Sequence, residues 1–193
     1  MDLSLFVVLI VLNLGLAVVI GVFLGKTGLL DREDQRFPPV VKEIASAMVF
    51  GLMAVVGTYS YSTAGVLYNS RNGAVISGGL YFGPIAALGS AIIAILYRST
   101  WGGATMFPCL LATAIAAFVL MIIYDRWGGH VTILKAMAIT IPIEVFHLAL
   151  VVLFIPQGQG WDLIVNNASG LVILMSTLVV GAFGISYNWS KRK

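Results

Sequence analysis

The stretch LYNSRNGAVISGGLYFGPIAALGSAIIAILYR, residues 67–98, decides the fold. It is apolar and rich in glycine, Gly83-Pro84 interrupts its middle, and Arg71 and Arg98 lie towards its two ends. One straight helix from Gly73 to Tyr97 would place the arginines near opposite membrane faces, because its 25 residues would rise about 37 Å. Two helices hinged at Gly83-Pro84 would bring both arginines to one end. Proline favours the hinge, because it lacks an N–H and clashes with the preceding turn.

The composition of the chain is that of an integral membrane protein. Residues of the AVILMFWYC set make up 60% of the 193 residues, before its 21 glycines are counted, and charged residues only 10%. Soluble domains have about 45–50% apolar residues, glycine included, and about 25% charged residues. Runs near 20 apolar residues are expected for helices that cross the hydrocarbon. Five such runs are plain, at residues 3–25, 41–60, 105–124, 131–155 and 163–187.

The distribution of Lys and Arg distinguishes the two interpretations of residues 67–98. A straight helix gives six crossings and divides the basic residues five to six, which assigns no orientation. A hinged hairpin leaves only Arg71 and Arg98 on one side. The other side then holds nine basic residues: Lys26, Arg32, Arg36, Lys42, Arg126, Lys135, Lys191, Arg192 and Lys193. Cytoplasmic loops collect Lys and Arg, so this bias favours the hairpin.

We therefore predict an all-α, polytopic membrane protein in which residues 1–193 form a single transmembrane receptor domain. It has five long helices and a helical hairpin broken at Gly83-Pro84, with the N-terminus outside and the C-terminus in the cytoplasm. The charged loop between Lys26 and Lys42 is interpreted as a cytoplasmic connector. The eleven Lys and Arg residues are scattered, so no nucleic-acid surface is expected.

Arg71 and Arg98 are the main candidates for ligand binding. An arginine near the apolar zone costs about 2.5–3.5 kcal/mol on permissive insertion scales, so a compensating group is expected. Snorkelling towards the headgroups is the alternative for each arginine alone. A pair of guanidinium groups suits a small carboxylate, since each fork can bind it in a bidentate manner.

A stripe of small polar residues begins the helix that follows the hairpin. Cys109 and Thr113 are four residues apart and face the same way, and Thr105 extends the stripe by one turn. These groups could hydrogen-bond a keto or hydroxyl oxygen, or they could simply let helices approach closely. A nucleophilic role for Cys109 is disfavoured, because no adjacent base is visible that could activate it.

Glu144 and His147 form an ionisable pair inside the next predicted helix. The i, i+3 spacing matches half of a di-metal carboxylate site, but the second motif that such a site needs is absent. No metal and no cofactor are therefore expected. A proton-linked switch and a structural hydrogen bond remain equal alternatives for the pair. Asn166 and Asn167, at the start of the last helix, either cap that helix or reach the pocket.

Two glycine patterns indicate helix packing. Gly78-Gly79 through Gly83 follows no strand and lacks the lysine of a P-loop, so it does not predict a nucleotide site. Gly79 and Gly83 form a small-xxx-small pair, which allows close helix contact. Ala17, Gly21 and Gly25 form a similar ladder on the first helix. That ladder could serve internal packing or an external partner.

The middle of the chain resembles a known family. The motifs that carry the likeness are Asn69 through Val75, Gly78-Gly79-Leu80, Gly83-Pro84, Tyr97-Arg98, Gly102 through Thr105, and Cys109 through Thr113. In this order they are similar to the LytS-type 5TM receptor module of bacterial sensor histidine kinases, whose members include pyruvate receptors. Two positions differ from the usual family pattern: Tyr97 replaces a histidine, and Ala112 replaces a small polar residue.

The resemblance implies a receptor that binds a pyruvate-like 2-oxo acid from the outer face. It implies that Arg71, Arg98 and Cys109 are ligand-binding positions, and that Glu144 and Asn167 match a Glu and an Asn of the family. Thr105 or Thr113 would assist Cys109. We expect no enzymatic activity, because the kinase domain of the full family proteins is not in this sequence.

The alternative function is the substrate-binding S component of an energy-coupling-factor transporter. Such proteins are also short, contain a Gly-Pro hairpin and dock through small residues of their first helix. On either interpretation the expected partners are a small carboxylate, the lipid bilayer and a separate signalling or transport subunit. Association of the chain with further copies of itself is left open.

Overall fold

The computed structural model describes residues 3–31, 35–58, 62–63, 66–67, 70–129, 131–155, 160–161 and 170–192. Five helices in these ranges are long and apolar enough to cross a membrane, so the predicted all-α polytopic fold is confirmed. The helices named here are α1 (Leu3–Thr27), α2 (Pro39–Thr58), α3 (Arg71–Phe82), α4 (Pro84–Ser99), α5 (Met106–Trp127), α6 (Ile133–Phe154) and α7 (Gly170–Lys191).

The hinge lies where the sequence predicts it. Helix α3 ends at Phe82, α4 begins at Pro84, and Gly83 between them has φ +111°. Residues with a side chain rarely adopt this backbone conformation, which explains why a glycine occupies this position. The hairpin begins later than the predicted residue 67, because Val66–Leu67 pairs antiparallel with Ser62–Thr63. Short β-branched segments favour such pairing over helix.

The order of the helices gives the bundle two distinct ends. The site end holds the start of α3 and the end of α4, and therefore Arg71 and Arg98. The hinge end holds Gly83 and the end of α7. Since α1, α2, α5, α6 and α7 each cross once and the hairpin returns to its starting end, the number of crossings is odd.

The basic residues follow the predicted division. Seven of the nine predicted to share one side are described, and all seven lie in the terminal turns or the connector at the hinge end. They are Lys26, Arg36, Lys42, Arg126, Lys135, Lys191 and Arg192. Arg32 and Lys193 lie outside the described residues. The cytoplasmic position of the hinge end and the outward N-terminus, which follow from this bias, stay predictions.

Helix α3 is the central helix of the bundle. Every residue of α3 except Tyr81 is buried, and the helix packs against α2, α4, α5, α6 and α7. Glycines permit this crowding. A Cβ on Gly73 would lie 2.9 Å from the Ser176 carbonyl oxygen, and a Cβ on Gly78 would lie 2.9 Å from the Phe50 ring. In lipid, such close packing is a main source of helix association.

The small-residue ladder of α1 packs inside the protein. A Cβ on Gly21 would lie 2.9 Å from the Phe183 carbonyl oxygen and would collide with the Ser186 side chain, and one on Gly25 would collide with Ser190. Of the two uses left open by the sequence, the structure therefore shows internal packing of α1 on α7.

Candidate functional site

Arg71 and Arg98 lie in the interior of the bundle at the site end. Both are 0% exposed, so neither side chain snorkels to the headgroups. Arg71 is the first residue of α3, and Arg98 lies in the last turn of α4. The hinge places these two positions, 27 residues apart in sequence, at the same end of the bundle. Both arginines thus lie at one end, as the predicted hinge requires, and their joint binding of one ligand stays a prediction.

The polar stripe of α5 contacts both arginines. Arg71 Nη2 donates to Thr113 Oγ1 at 3.2 Å, and Arg98 Nη2 donates to Thr105 Oγ1 at 3.3 Å. Arg98 Nη1 also donates to the Gly102 carbonyl oxygen at 2.7 Å. Thr105 and Thr113 are separated by about 12 Å along the helix axis. Cys109 lies midway between them, so the two arginines bracket its thiol.

Three buried guanidinium nitrogens lack a hydrogen-bond partner within the described ranges. They are Nε and Nη1 of Arg71 and Nε of Arg98. A buried donor that stays unpaired costs about 1–3 kcal/mol, and more when the group is charged. The site therefore presents unused cationic donors around the α5 stripe.

Cys109 is in contact with a base, which corrects the expectation from the sequence. His147 Nε2 lies 3.2 Å from Cys109 Sγ, and His147 Nδ1 lies 3.0 Å from Glu144 Oε2. The base comes from α6, 38 residues away in sequence, so no local pattern revealed it. Thiol, imidazole and carboxylate thus form a continuous chain of contacts across α5 and α6. All three residues are buried, at 3%, 3% and 0% exposed.

Glu144 accepts hydrogen bonds from three directions. Besides His147, its partners are Asn72 Nδ2 at 3.3 Å and Ser176 Oγ at 2.5 Å. Asn72 Nδ2 also lies 3.4 Å from His147 Nδ1. Since Glu144 already binds Nδ1, the simplest assignment puts a proton on Nδ1 and directs Asn72 to the carboxylate. The Glu144–His147 pair is therefore hydrogen-bonded into the core, and a switching role stays a prediction.

Several polar residues of the site were missed by the sequence analysis. Asn72 and Ser176 hold Glu144, and Thr113 Oγ1 lies 3.0 Å from Asn72 Oδ1. Asn13 of α1 accepts from Ser70 Oγ at 2.9 Å, next to Arg71. A lone asparagine in the apolar run of α1 was a usable signal, because buried polar groups in membranes need partners.

Other predicted features lie elsewhere. Asn166 and Asn167 fall outside the described residues. In the described part of the chain, no group of three or more His, Cys, Asp and Glu side chains is placed to hold a metal ion. A separate cavity of about 470 Å³ lies at the hinge end between Tyr81, Tyr124, Tyr187 and Lys191. It lies at the opposite end of the bundle from Arg71.

Comparisons with known proteins agree with this architecture. The family 5TM-5TMR_LYT, described as the 5TMR of 5TMR-LYT, matches residues 29–187. The sensor histidine kinase YpdA of Escherichia coli (strain K12) is 29% identical over 146 residues. That alignment covers 72% of this chain and 25% of the relative, so the chain spans about a quarter of the length of the curated relative it matches. No solved structure matches.

The family match includes the elements that form the site. It runs from the residues before α2 to Tyr187 in α7, and therefore covers the hinged hairpin with both arginines, the α5 stripe and the Glu144–His147 pair. Because the match extends over most of the 193 residues, the chain belongs to the 5TM-5TMR_LYT family.

Proposed function

We propose that this chain is the receptor domain of a membrane sensor and that it binds a small monocarboxylate, specifically a pyruvate-like 2-oxo acid. The observation that carries the proposal is the set of buried nitrogens on Arg71 and Arg98 that have no hydrogen-bond partner among the described residues. Carboxylates are the usual partners of such guanidinium donors. The domain binds its ligand and does not turn it over.

The charge of the site favours one negative charge on the ligand. The charged residues described at the site are Arg71, Arg98 and Glu144. Their formal charges sum to +1 when His147 and Cys109 are neutral. An uncompensated charge in a buried site is costly. A monocarboxylate would neutralise the site, whereas a dicarboxylate would leave an excess negative charge.

The groups beside the arginines suit a second oxygen on the ligand. The thiol of Cys109 and the hydroxyls of Thr105 and Thr113 follow one another along α5, between the two guanidinium groups. A 2-oxo acid carries its keto oxygen next to the carboxylate, so one ligand presents an oxygen for the arginines and a second oxygen for a thiol or hydroxyl donor. This match is the reason for preferring a 2-oxo acid to a simple fatty acid.

A sensor role is supported by the relative, which is a sensor histidine kinase. The hairpin supplies a physical route for the signal. From Arg71 to Gly83 the chain rises about 18 Å, and it arrives beside Tyr124 of α5. Phe82 packs there against Phe183 and Tyr187 of α7. A ligand that pulls on Arg71 would move the contacts of α7 that a signalling partner reads.

The transporter alternative has less support. It requires small residues on the first helix that are free to dock on another subunit. Gly21 and Gly25 instead pack against Ser186 and Ser190 of α7. The receptor interpretation makes no such demand on α1.

The test is a thermal-shift assay of the whole chain in detergent with a panel of small acids. Pyruvate is expected to raise the unfolding temperature, and Arg71→Met and Arg98→Met are expected to abolish that rise. Arg126→Met is the matched control, because Arg126 is exposed at the hinge end, and it should keep the shift. An equal shift in all three variants would falsify the proposed site.

The ligand is proposed to enter from the outer face. The prediction follows from the excess of basic residues at the hinge end. A single cysteine placed before α1, in a Cys109→Ala background, should react with a membrane-impermeant maleimide on intact cells. A cysteine placed after α7 should react only after the cells are lysed. The reverse pattern would place the site on the cytoplasmic side.

A further inference from the structure

The buried chain of Cys109, His147 and Glu144 is not explained by carboxylate binding alone. A carboxylate needs the arginines, and a keto oxygen needs only a donor. The structure instead places a thiol on an imidazole and that imidazole on a carboxylate. This order of groups is the arrangement that activates a nucleophile and orients its base.

The geometry fixes the direction in which a proton can move. Glu144 Oε2 accepts from His147 Nδ1 at 3.0 Å, which leaves Nε2 free to accept from Cys109 Sγ at 3.2 Å. Asn72 and Ser176 hold the carboxylate in place. His147 can therefore take the thiol proton without a change in the rest of the network.

A second observation points to an occupant beside the thiol. Arg71 is fully buried, its Nε and Nη1 have no partner in the described ranges, and its Nη2 donates to Thr113, one helical turn from Cys109. On the other side of Cys109, Arg98 donates to Thr105, which lies one helical turn from Cys109. An acid bound between the arginines would lie against Sγ.

We propose that Cys109 bonds reversibly to the C2 carbonyl of a bound 2-oxo acid, and that His147 carries the proton. The inference rests on the proposed function, which places the acid between the two arginines. The product is a thiohemiketal, and the ligand is released unchanged when the bond breaks.

The step is balanced without any further reagent. The Cys109 S–H bond breaks and its proton passes to His147 Nε2. The Sγ–C2 bond forms while the π electrons of the C2 carbonyl move to its oxygen. His147 then returns the proton to that oxygen, which becomes a hydroxyl. No electron is gained or lost and no group leaves, so the reaction runs backwards by the same route.

A covalent receptor gains selectivity that charge alone cannot supply. Acetate, lactate and oxamate carry the same single carboxylate, but none has an electrophilic ketone at C2. A bond to Cys109 would therefore separate 2-oxo acids from these common monocarboxylates. Each tenfold of discrimination requires about 1.4 kcal/mol.

The test uses the whole chain in detergent micelles with pyruvate labelled with ¹³C at C2. Bound pyruvate is expected to give a ¹³C signal in the region of tetrahedral carbons bearing oxygen and sulfur, at a position distinct from free pyruvate hydrate. Oxamate, which has a similar shape and an unreactive carbonyl, serves as the non-covalent ligand. We expect pyruvate to bind at least about tenfold more tightly than oxamate.

Variants separate the bond from the clamp. Cys109→Ala should remove the tetrahedral signal and weaken pyruvate binding more than oxamate binding, so that most of the preference for pyruvate is lost. His147→Gln should slow the exchange between free and bound pyruvate. If a variant fails to fold, the ¹³C spectrum of the unmodified chain still decides the question.

The possible results have different meanings. If both acids bind equally and bound C2 stays in the ketone region, the covalent bond is excluded and the proposed function stands. If Cys109→Ala weakens both acids equally, the thiol is only a hydrogen-bonding group. If neither acid binds the unmodified chain, the covalent bond and the proposed function fail together.

Discussion

The two ends of the hairpin bury polar groups in different ways. At the hinge end, Lys191 pairs with Asp31 at 2.9 Å, Tyr187 donates to the same carboxylate, and Lys42 Nζ donates to the Asp31 carbonyl oxygen at 2.7 Å. Among the residues that the structure describes, the neutral hydroxyl of Tyr81 has no hydrogen-bond partner there. The charged groups of this cluster thus find their partners within the chain.

At the site end the charges are not balanced. Two buried guanidinium groups face one buried carboxylate, and three of their nitrogens have no partner in the described ranges. A neutral hydroxyl without a partner costs far less than a cation without one. The comparison teaches that the charged cluster of the hinge end is paired within the chain, whereas the arginines of the site end keep donors that suit the anion we propose. Three substitutions and one control test this difference.

The largest effect is expected for Glu144→Gln at the site end. The amide keeps one acceptor oxygen but replaces the other by an NH2 donor, so part of the three hydrogen bonds is lost and both arginines lose their buried counter-charge. Removing one partner of a buried ionic group costs about 3–5 kcal/mol. The free energy of unfolding in mixed micelles titrated with SDS should fall by this amount. A loss smaller than that of the hinge-end variant below would contradict the comparison.

A smaller effect is expected for Gly73→Ala, which alters the support of the site without altering its charge. The new Cβ would lie 2.9 Å from the Ser176 carbonyl oxygen and 3.1 Å from its Cα, so α3 and α7 must move apart. Overpacking of this kind costs about 1–3 kcal/mol. The same SDS titration measures the loss.

Gly15→Ala is the matched control for that variant. Gly15 lies in a helix, and a Cβ added there has nothing within 4 Å. Alanine is the better helix former by about 1 kcal/mol, so this variant should be as stable as the unmodified chain or more stable. Equal losses in the two variants would show that the close approach at Gly73 has no special role.

The smallest effect is expected for Asp31→Asn at the hinge end. The Lys191 side chain is 42% exposed, and pairs that reach solvent contribute about 0–1 kcal/mol. The asparagine oxygen can still accept from Tyr187, and the Lys42 bond to the main chain is retained. Unfolding should shift by less than about 1 kcal/mol, and the thermal shift with pyruvate should be unchanged. Loss of that shift would show that the hinge end takes part in binding.

The sequence was sufficient for features that depend on local chemistry. Gly83-Pro84 predicts a break wherever it lies in a membrane segment, and the basic residues then fix which segments share an end. The i, i+4 stripe of Cys109 and Thr113 likewise follows from helix geometry. The prediction that one hinge brings both arginines to the same end of the bundle depends only on the hairpin and on no other helix.

Features that depend on how helices rotate against one another were not predictable. His147 contacts Cys109 only because α5 and α6 turn those faces towards each other. The pattern of residues within each helix does not indicate how the two helices are rotated relative to one another. Ser176 gave no signal, since small polar residues are common in membrane helices. The apolar run predicts that α5 ends at residue 124, but the helix ends at Trp127, because Asp125 and Arg126 extend it beyond the apolar run.

The packing of α1 on α7 has a practical consequence for protein production. The family match begins at residue 29, so an expression clone cut at that boundary would omit the whole of α1. Ser186 and Ser190 would then face lipid, and Ser70, the neighbour of Arg71, would lose its bond to Asn13. Clones intended for ligand screening should retain the first 28 residues.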